Sequence, residues 1–357
     1  MIDVADSVEK AVNSFDVVRC VIRIGPPGIG KTETAKQIAQ MWAKRHGLEF
    51  VDFAEVGDVD KLSEDQLIFV ELSGTAMMVE DVGGFPHLNA DKPFVPVRLP
   101  EHLYVLVKYP CVIHIDEFNT AMKPVIAQML KLVEGRVHTR AMHPLTRVLL
   151  SGNDFEDNSL VNVVPKPIWN KCAVMRLKTS IESWLAYMAR IPHHPGVTAY
   201  VMQSKTLLNL NDDGPSTTPR SLTHLAIHLR KHPEDSDYAP YLYLHPKDAA
   251  NCVNFLRYNV NLDAISPRDI ASMSLNEVYV TASLLAQALM QNPNRRYFEL
   301  LGAIADAHID IATMIVKAMS KDPKAMTNLR VFGTKAYRNV MQRLNQIAQK
   351  FVEGGGA

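Results

Sequence analysis

The sequence predicts an α/β domain, built on a parallel sheet flanked by helices and followed by an all-α region. Three observations carry that prediction. Short β-branched runs alternate with helix-patterned segments through the first half of the chain, and strands separated by helices pair in parallel. A Gly-rich loop, Gly25-Pro26-Pro27-Gly28-Ile29-Gly30-Lys31-Thr32, stands between one such run and one such segment. From about Ser180 the strand runs give way to helical periodicity.

In chain order, Val17 to Ile24 reads as a buried strand that runs directly into the loop. Thr32 to His46 reads as a helix, with Ala35, Ile38, Ala39 and Trp42 at helical spacing and Gly47 as its stop. Leu67 to Leu72 and Cys111 to Ile115 are short buried-type strands, and Val125 to Val133 is helical. Arg136 to Arg147 reads as a hairpin, then Val148 to Ser151 and Ala173 to Leu177 as further strands. Beyond Ser180 come Trp184 to Met188, the stripe Leu222, Leu225, Ala226 and Leu229, and a helix-rich tail from Asn276 to Val352. In that tail, the apolar stretches Leu284 to Met290 and Ile304 to Met319 read first as core packing, with an extended lid, a docking surface or an oligomerisation element as alternatives. The terminal Gly354 to Ala357 reads as a frayed end.

Of the 357 residues, 47% are hydrophobic and 21% charged, the mixture of a globular protein with a real core. The formal net charge of zero argues against a surface built wholly for nucleic acid or an anionic membrane. Cys20, Cys111, Cys172 and Cys252 are widely spaced, which reads as reduced thiols in a cytoplasmic setting. The Met1 to Asp6 segment lacks the pattern of a signal peptide, and no apolar run approaches the ~18 residues that span a bilayer.

The loop matches G-x-x-x-x-G-K-[ST] between a strand and a helix, a specific phosphate-binding signature. Its glycines let backbone N–H groups point inward, and the following helix turns its positive end to the phosphates. Lys31 is expected to reach the β- and γ-phosphates and Thr32 to offer its hydroxyl to Mg²⁺, with Glu33 beside them in the first helical turn. Downstream, Cys111 to Glu117 is a buried strand ending in two acids. Asp116 is placed to hold the metal shell, and Glu117 to polarise a water for attack on the γ-phosphate. His114, mid-strand and without a second ligand at metal spacing, reads as structural. His193-His194, between two prolines, reads as a turn.

These motifs and four further stretches resemble the AAA+ ATPase superfamily, and within it the MoxR-type branch. Asp116-Glu117-Phe118-Asn119-Thr120-Ala121 is similar to the branch's extended Walker B. Val148 to Asn153 is similar to its sensor 1 strand, whose terminal Asn contacts the attacking water or the γ-phosphate. Pro165 to Cys172 resembles the segment that carries a trans-acting arginine, and Lys171 stands in the arginine's place. Lysine keeps the charge but lacks the planar fork that grips two oxygens, so Arg136, Arg140, Arg147 and Arg176 are alternative candidates. Thr217-Thr218-Pro219-Arg220-Ser221 resembles the start of the sensor 2 helix, where Thr caps, Pro fills the first turn and Arg220 contacts the γ-phosphate. The resemblance covers residues 1 to about 232.

It implies residues 1–180 as the AAA+ nucleotide-binding domain and 181–235 as a helical lid, and the helical periodicity beyond leaves 236–357 as a helical extension. It also implies ATP and Mg²⁺ as cofactors and self-assembly into a ring, a hexamer, that remodels or assembles a partner protein. Glu117, Asn153, Arg220 and Lys171 would be the catalytic set. The insert Glu80 to Pro86 would face the pore, with Phe85 as a gripping residue or a small-core anchor, the commoner use of a Phe beside Pro. Arg136, His138, Arg140, His143 and Arg147 on the hairpin would form a basic strip toward nucleic acid, face a neighbour's nucleotide, or simply be solvated. A nucleic-acid motor or loader and a nucleotide-dependent scaffold with little hydrolysis are the alternative functions. A GTP switch is disfavoured by the lack of an N-K-x-D segment.

Overall fold

Runs of apolar and β-branched residues build a seven-stranded, all-parallel sheet whose carboxyl edge carries the Gly-rich loop. The computed structural model describes residues 1–87, 95–154, 161–211 and 213–332, together with 338 and 342. Two units divide the chain, Met1–Lys178 and Thr179–Ala357.

In the first unit the elements follow as β1 (Ile2–Asp3), α1 (Ser7–Ser14), β2 (Cys20–Ile24), α2 (Lys31–His46), β3 (Glu49–Asp52) and β4 (Gln66–Ser73). A short α3 (Glu80–Gly83) leads to the two-stranded ribbon β5 (Phe85–Pro86) and β6 (Val97–Arg98). Then come α4 (Glu101–Lys108), β7 (Cys111–Asp116) and α5 (Lys123–Val133), followed by the small hairpin of β8 (Arg136–Val137) and β9 (Arg140–Ala141). Last are β10 (Arg147–Gly152), α6 (Lys166–Asn170) and β11 (Cys172–Lys178). The sheet order is β1-β11-β2-β10-β7-β4-β3, with every pairing parallel.

Alternation along the strands explains the layers. Val21, Phe69, Val112 and Leu149 pack with Val12, Ile38 and Trp42 of α1 and α2. Their neighbours Ile22, Ile68, Ile113 and Leu150 pack on the opposite face with Leu103 and Leu106 of α4 and Val125 and Met129 of α5. With both faces covered, the central strands are apolar almost throughout. That is why β2, β4, β7 and β10 are legible in the sequence. The N-terminal pair β1 and α1, the polar edge strand β3, and α4 are additions to the predicted elements. The hairpin is shorter than expected, ending at Ala141.

The described α-helices of the second unit are α7 (Ile181–Met188), α8 (Pro195–Ser204), α9 (Pro219–Lys231), α10 (Ala239–Tyr243), α11 (Pro246–Leu256), α12 (Leu275–Gln291), α13 (Arg295–Ala307), α14 (Ile309–Met319) and α15 (Pro323–Phe332). One hydrophobic cluster runs from Trp184 to Leu329, so residues on both sides of position 235 share a core. Leu285, Leu289, Ile304, Ile311 and Ile315 of the tail are buried in it. α8 is buried from Gly196 to Met202 without a break, the mark of a central helix. The terminal Gly354 to Ala357, and the tail from 333 onward except 338 and 342, lie outside the described residues. Among the described residues no helix is long and apolar enough to cross a membrane.

Candidate nucleotide site

The carboxyl ends of β2, β7 and β10 meet in adjacent strands, and each delivers one part of the site. β2 ends at Ile24 and passes into the loop, where Gly25 is buried, Pro26, Pro27 and Gly28 are half-buried, and Ile29 is buried. Gly30 caps α2 with φ +93°, a left-handed conformation that disfavours a side chain. The helix then runs to Gly47, itself at φ +68°, and closes with Lys44, Arg45 and His46 in its last turn. This polarity leaves the unpaired N–H groups and the positive dipole end facing the loop.

Lys31 Nζ donates to the carbonyls of Gly25 (2.7 Å) and Pro26 (2.8 Å) and to Asn153 Oδ1 (2.9 Å). Thr32 Oγ1 donates to Asp116 Oδ2 at 2.6 Å. The second oxygen of Asp116 accepts from the Glu117 N–H at 3.0 Å. Glu117 itself adopts φ 52°, ψ 35°, a left-handed conformation rare for a side-chain-bearing residue and frequent where strain serves a site. Glu33 is exposed in the first turn of α2, against Gln37. The structure thus brings together Lys31, Thr32, Asp116 and Asn153 at hydrogen-bonding distance, with Glu117 adjoining.

Two residues left without a role in the sequence reading hold this arrangement. Gly74, at the end of β4, lies against the Glu117 turn, and a Cβ there would sit 2.6 Å from the Glu117 carbonyl oxygen. Asn119, named only as part of a motif, is buried and donates from Nδ2 to the Asn153 carbonyl at 2.8 Å. It ties the turn after β7 to the end of β10. No local signal gives either residue this role, because both act across the fold.

His114 is fully buried. Its Nδ1 meets Glu71 Oε1 (3.1 Å) and its Nε2 meets Ser151 Oγ (2.9 Å). A carboxylate can only accept, so Nδ1 donates to Glu71, while Nε2 and the Ser151 hydroxyl share the second bond. The trio has the composition of a hydrolytic triad, but Ser151 and His114 have no exposed surface, and the contacts pin β4, β7 and β10 together beneath the site. His193 Nδ1 donates to the Ile191 carbonyl and its Nε2 meets Thr198 Oγ1, and His194 caps α8, accepting the Gly196 N–H, so the pair forms the loop that leads into that helix. Among the described residues no group of three or more His, Cys, Asp or Glu could hold a metal ion.

Lys171 is half-exposed and pairs with Glu134 at 3.4 Å. Arg176 grips Asp154 with two bonds of 2.8 and 2.9 Å. Arg147 turns inward, donating to the carbonyls of Phe15, Pro144 and Thr146 and lying 4.8 Å from the Trp42 ring centre. His143 accepts the Leu145 N–H. The basic strip therefore shrinks to Arg136, His138 and Arg140, because Arg147 and His143 serve the fold. Phe85 sits on β5 and is half-exposed rather than buried as an anchor. In the second unit, Thr218 caps α9 in a capping box with Ser221, Pro219 follows, and Arg220 is exposed in the first turn.

Fold and loop together define a P-loop NTPase fold, a parallel sheet flanked by helices with a helical C-terminal region. No family model and no curated protein matches the chain. Among solved structures it is similar to RuvB of Thermotoga maritima, with TM-score 0.39 and 14% identity over 83% of this chain and 85% of that one. It is also similar to ORC2 of Aeropyrum pernix, with TM-score 0.38 and 12% identity over 95% and 94%. A third is the FIGL-1 AAA domain in complex with ADP, with TM-score 0.33 and 16% identity over 74% and 87%. Likenesses this distant carry no argument about what the chain does.

Proposed function

We propose that the chain is a magnesium-dependent ATP hydrolase of AAA+ MoxR type, working as a ring of identical copies that remodels or assembles a partner protein. The observation that supports it is the convergence of Lys31 on Asn153 and of Thr32 on Asp116, residues 122 and 84 positions apart in the chain.

The donor set fits the groups this reading requires. Thr32 Oγ1 and Asp116 Oδ2 are hard oxygen donors of the kind Mg²⁺ takes, directly or through water. Bound there, the ion would neutralise charge on the β- and γ-phosphates. Lys31, held in the loop by two carbonyls, supplies the ammonium for those phosphates. Glu117 takes the proton of a water whose oxygen bonds to the γ-phosphorus as the bridging oxygen leaves with ADP. Asn153 orients that water. Arg220 carries the γ-phosphate-sensing role, and Lys171 the trans-acting role toward a neighbouring copy.

The Lys171–Glu134 pair favours a second reading, a nucleotide-dependent scaffold that binds ATP and assembles with little hydrolysis. Turnover of ATP by the full chain with and without Mg²⁺, beside its size in solution with and without nucleotide, separates the two. The motor reading expects Mg²⁺-dependent turnover and a ring-sized species with ATP. Assembly without turnover would favour the scaffold. Stimulation by single-stranded DNA that fades with added salt would move the target to nucleic acid.

A further inference from the structure

Beneath the phosphate loop lies a cation that the site described so far does not use. Arg23, on β2, has no exposed surface. Its guanidinium donates to the Lys31 carbonyl (2.8 Å), to Ser7 Oγ (3.2 Å) and to Thr34 Oγ1, so two of its contacts are with the first turn of α2. Its Nε is buried without a hydrogen-bond partner. Among the described residues no carboxylate lies within ion-pair distance of it. Burial lowers its pKa to about 10, and the charge of Asp116 partly offsets that.

This is an odd place for a charge on stability grounds. A buried cation without a paired anion is costly, and a positive group at a helix N-terminus faces the wrong end of the dipole. A polyanion on the same turn offsets both penalties. The negative charge is then close by, in a site shielded from water, where Coulomb interactions are strong.

We propose that Arg23 is a positioning residue for the polyphosphate, whose negative charge is the close counter-charge that this buried guanidinium lacks among the described residues. It acts through the first turn of α2, holding the Lys31 carbonyl and Thr34 while adding a fixed positive field behind the loop. This rests on the reading of the P-loop as an ATP site.

The test compares wild type, Arg23→Met and Arg23→Lys as full-length chains, by calorimetric affinity for ATP and AMP and by thermal unfolding without nucleotide. Arg23→Met is expected to unfold at the wild-type temperature or higher, to bind ATP roughly tenfold more weakly, and to bind AMP almost unchanged. Arg23→Lys, which keeps the charge and loses the fork, is expected to recover most of the ATP affinity. Equal ATP affinity in wild type and Arg23→Met overturns the inference. So do equal losses in both variants accompanied by lowered thermal stability, because that pattern belongs to a structural role. If Arg23→Met does not fold, Arg23→Gln takes its place in the comparison. A wild type that fails to bind ATP defeats the P-loop reading, and this inference with it, whereas wild-type binding with an indifferent Arg23→Met defeats this inference alone.

Discussion

Glu117 depends on a residue 43 positions away. Its left-handed backbone leaves its carbonyl so close to Gly74 that no side chain fits there. Gly74→Ala must therefore push the Glu117 turn, and it is expected to cost about 2 kcal/mol in unfolding free energy and to lower ATP turnover more than ATP binding. Chemical denaturation and steady-state kinetics read the two effects separately. Asn119→Ala removes the buried bond to the Asn153 carbonyl. The expected outcome is a fall in kcat of about tenfold or more with ATP affinity retained, measured by kinetics beside a binding titration. The meeting of Lys31, Thr32, Asp116 and Glu117 was foreshadowed in the sequence because each sits in a motif that is contiguous in the chain. Gly74, Asn119 and Arg23 were not, because their roles arise only when β4, β7, β10 and α2 come into register.

At the scale of elements, helix starts carry much of the local specification. α9 begins with Thr218 and Pro219 as its sequence suggests, and behind it Asp248, buried on α11, accepts from Tyr200 Oη (2.8 Å), Asn209 Nδ2 (3.1 Å) and Thr217 Oγ1 (2.5 Å). Asp248→Ala strands three donors, so a loss of about 3 kcal/mol is expected on denaturation. The start of α8 is pH-sensitive. His194 accepts the Gly196 N–H only while uncharged, and burial, helped by His193 and Arg230, pushes its pKa down from 6.5 to about 4. Protons therefore bind the unfolded chain first. The stability this group contributes is complete above about pH 6.5 and is lost as pH falls toward 4. Unfolding temperatures measured across that window should flatten in His194→Asn, which caps without titrating. The central strands were readable because both their faces are buried. β3 was not, since its Glu49 and Asp52 give an edge strand no apolar run. α4 was missed although Leu103, Val105 and Leu106 are buried, because its eight residues offer little more than two turns of periodicity.

At the scale of the whole molecule, motifs scattered from Gly25 to Asn153 are proposed to form a single hydrolytic ATP site. Composition bounded the possibilities, and the change of texture near Ser180 falls close to the division at Lys178. The shared core from Trp184 to Leu329 was invisible, because it joins stripes far apart in the chain. The most direct test is Mg²⁺-dependent ATP turnover of wild type beside Glu117→Gln, with ATP affinity measured on both. The account predicts that wild type hydrolyses ATP, whereas Glu117→Gln binds it with similar affinity and turns it over at least about a hundredfold more slowly. A Glu117→Gln protein that hydrolyses ATP at the wild-type rate, or a wild type that binds no ATP, would contradict it.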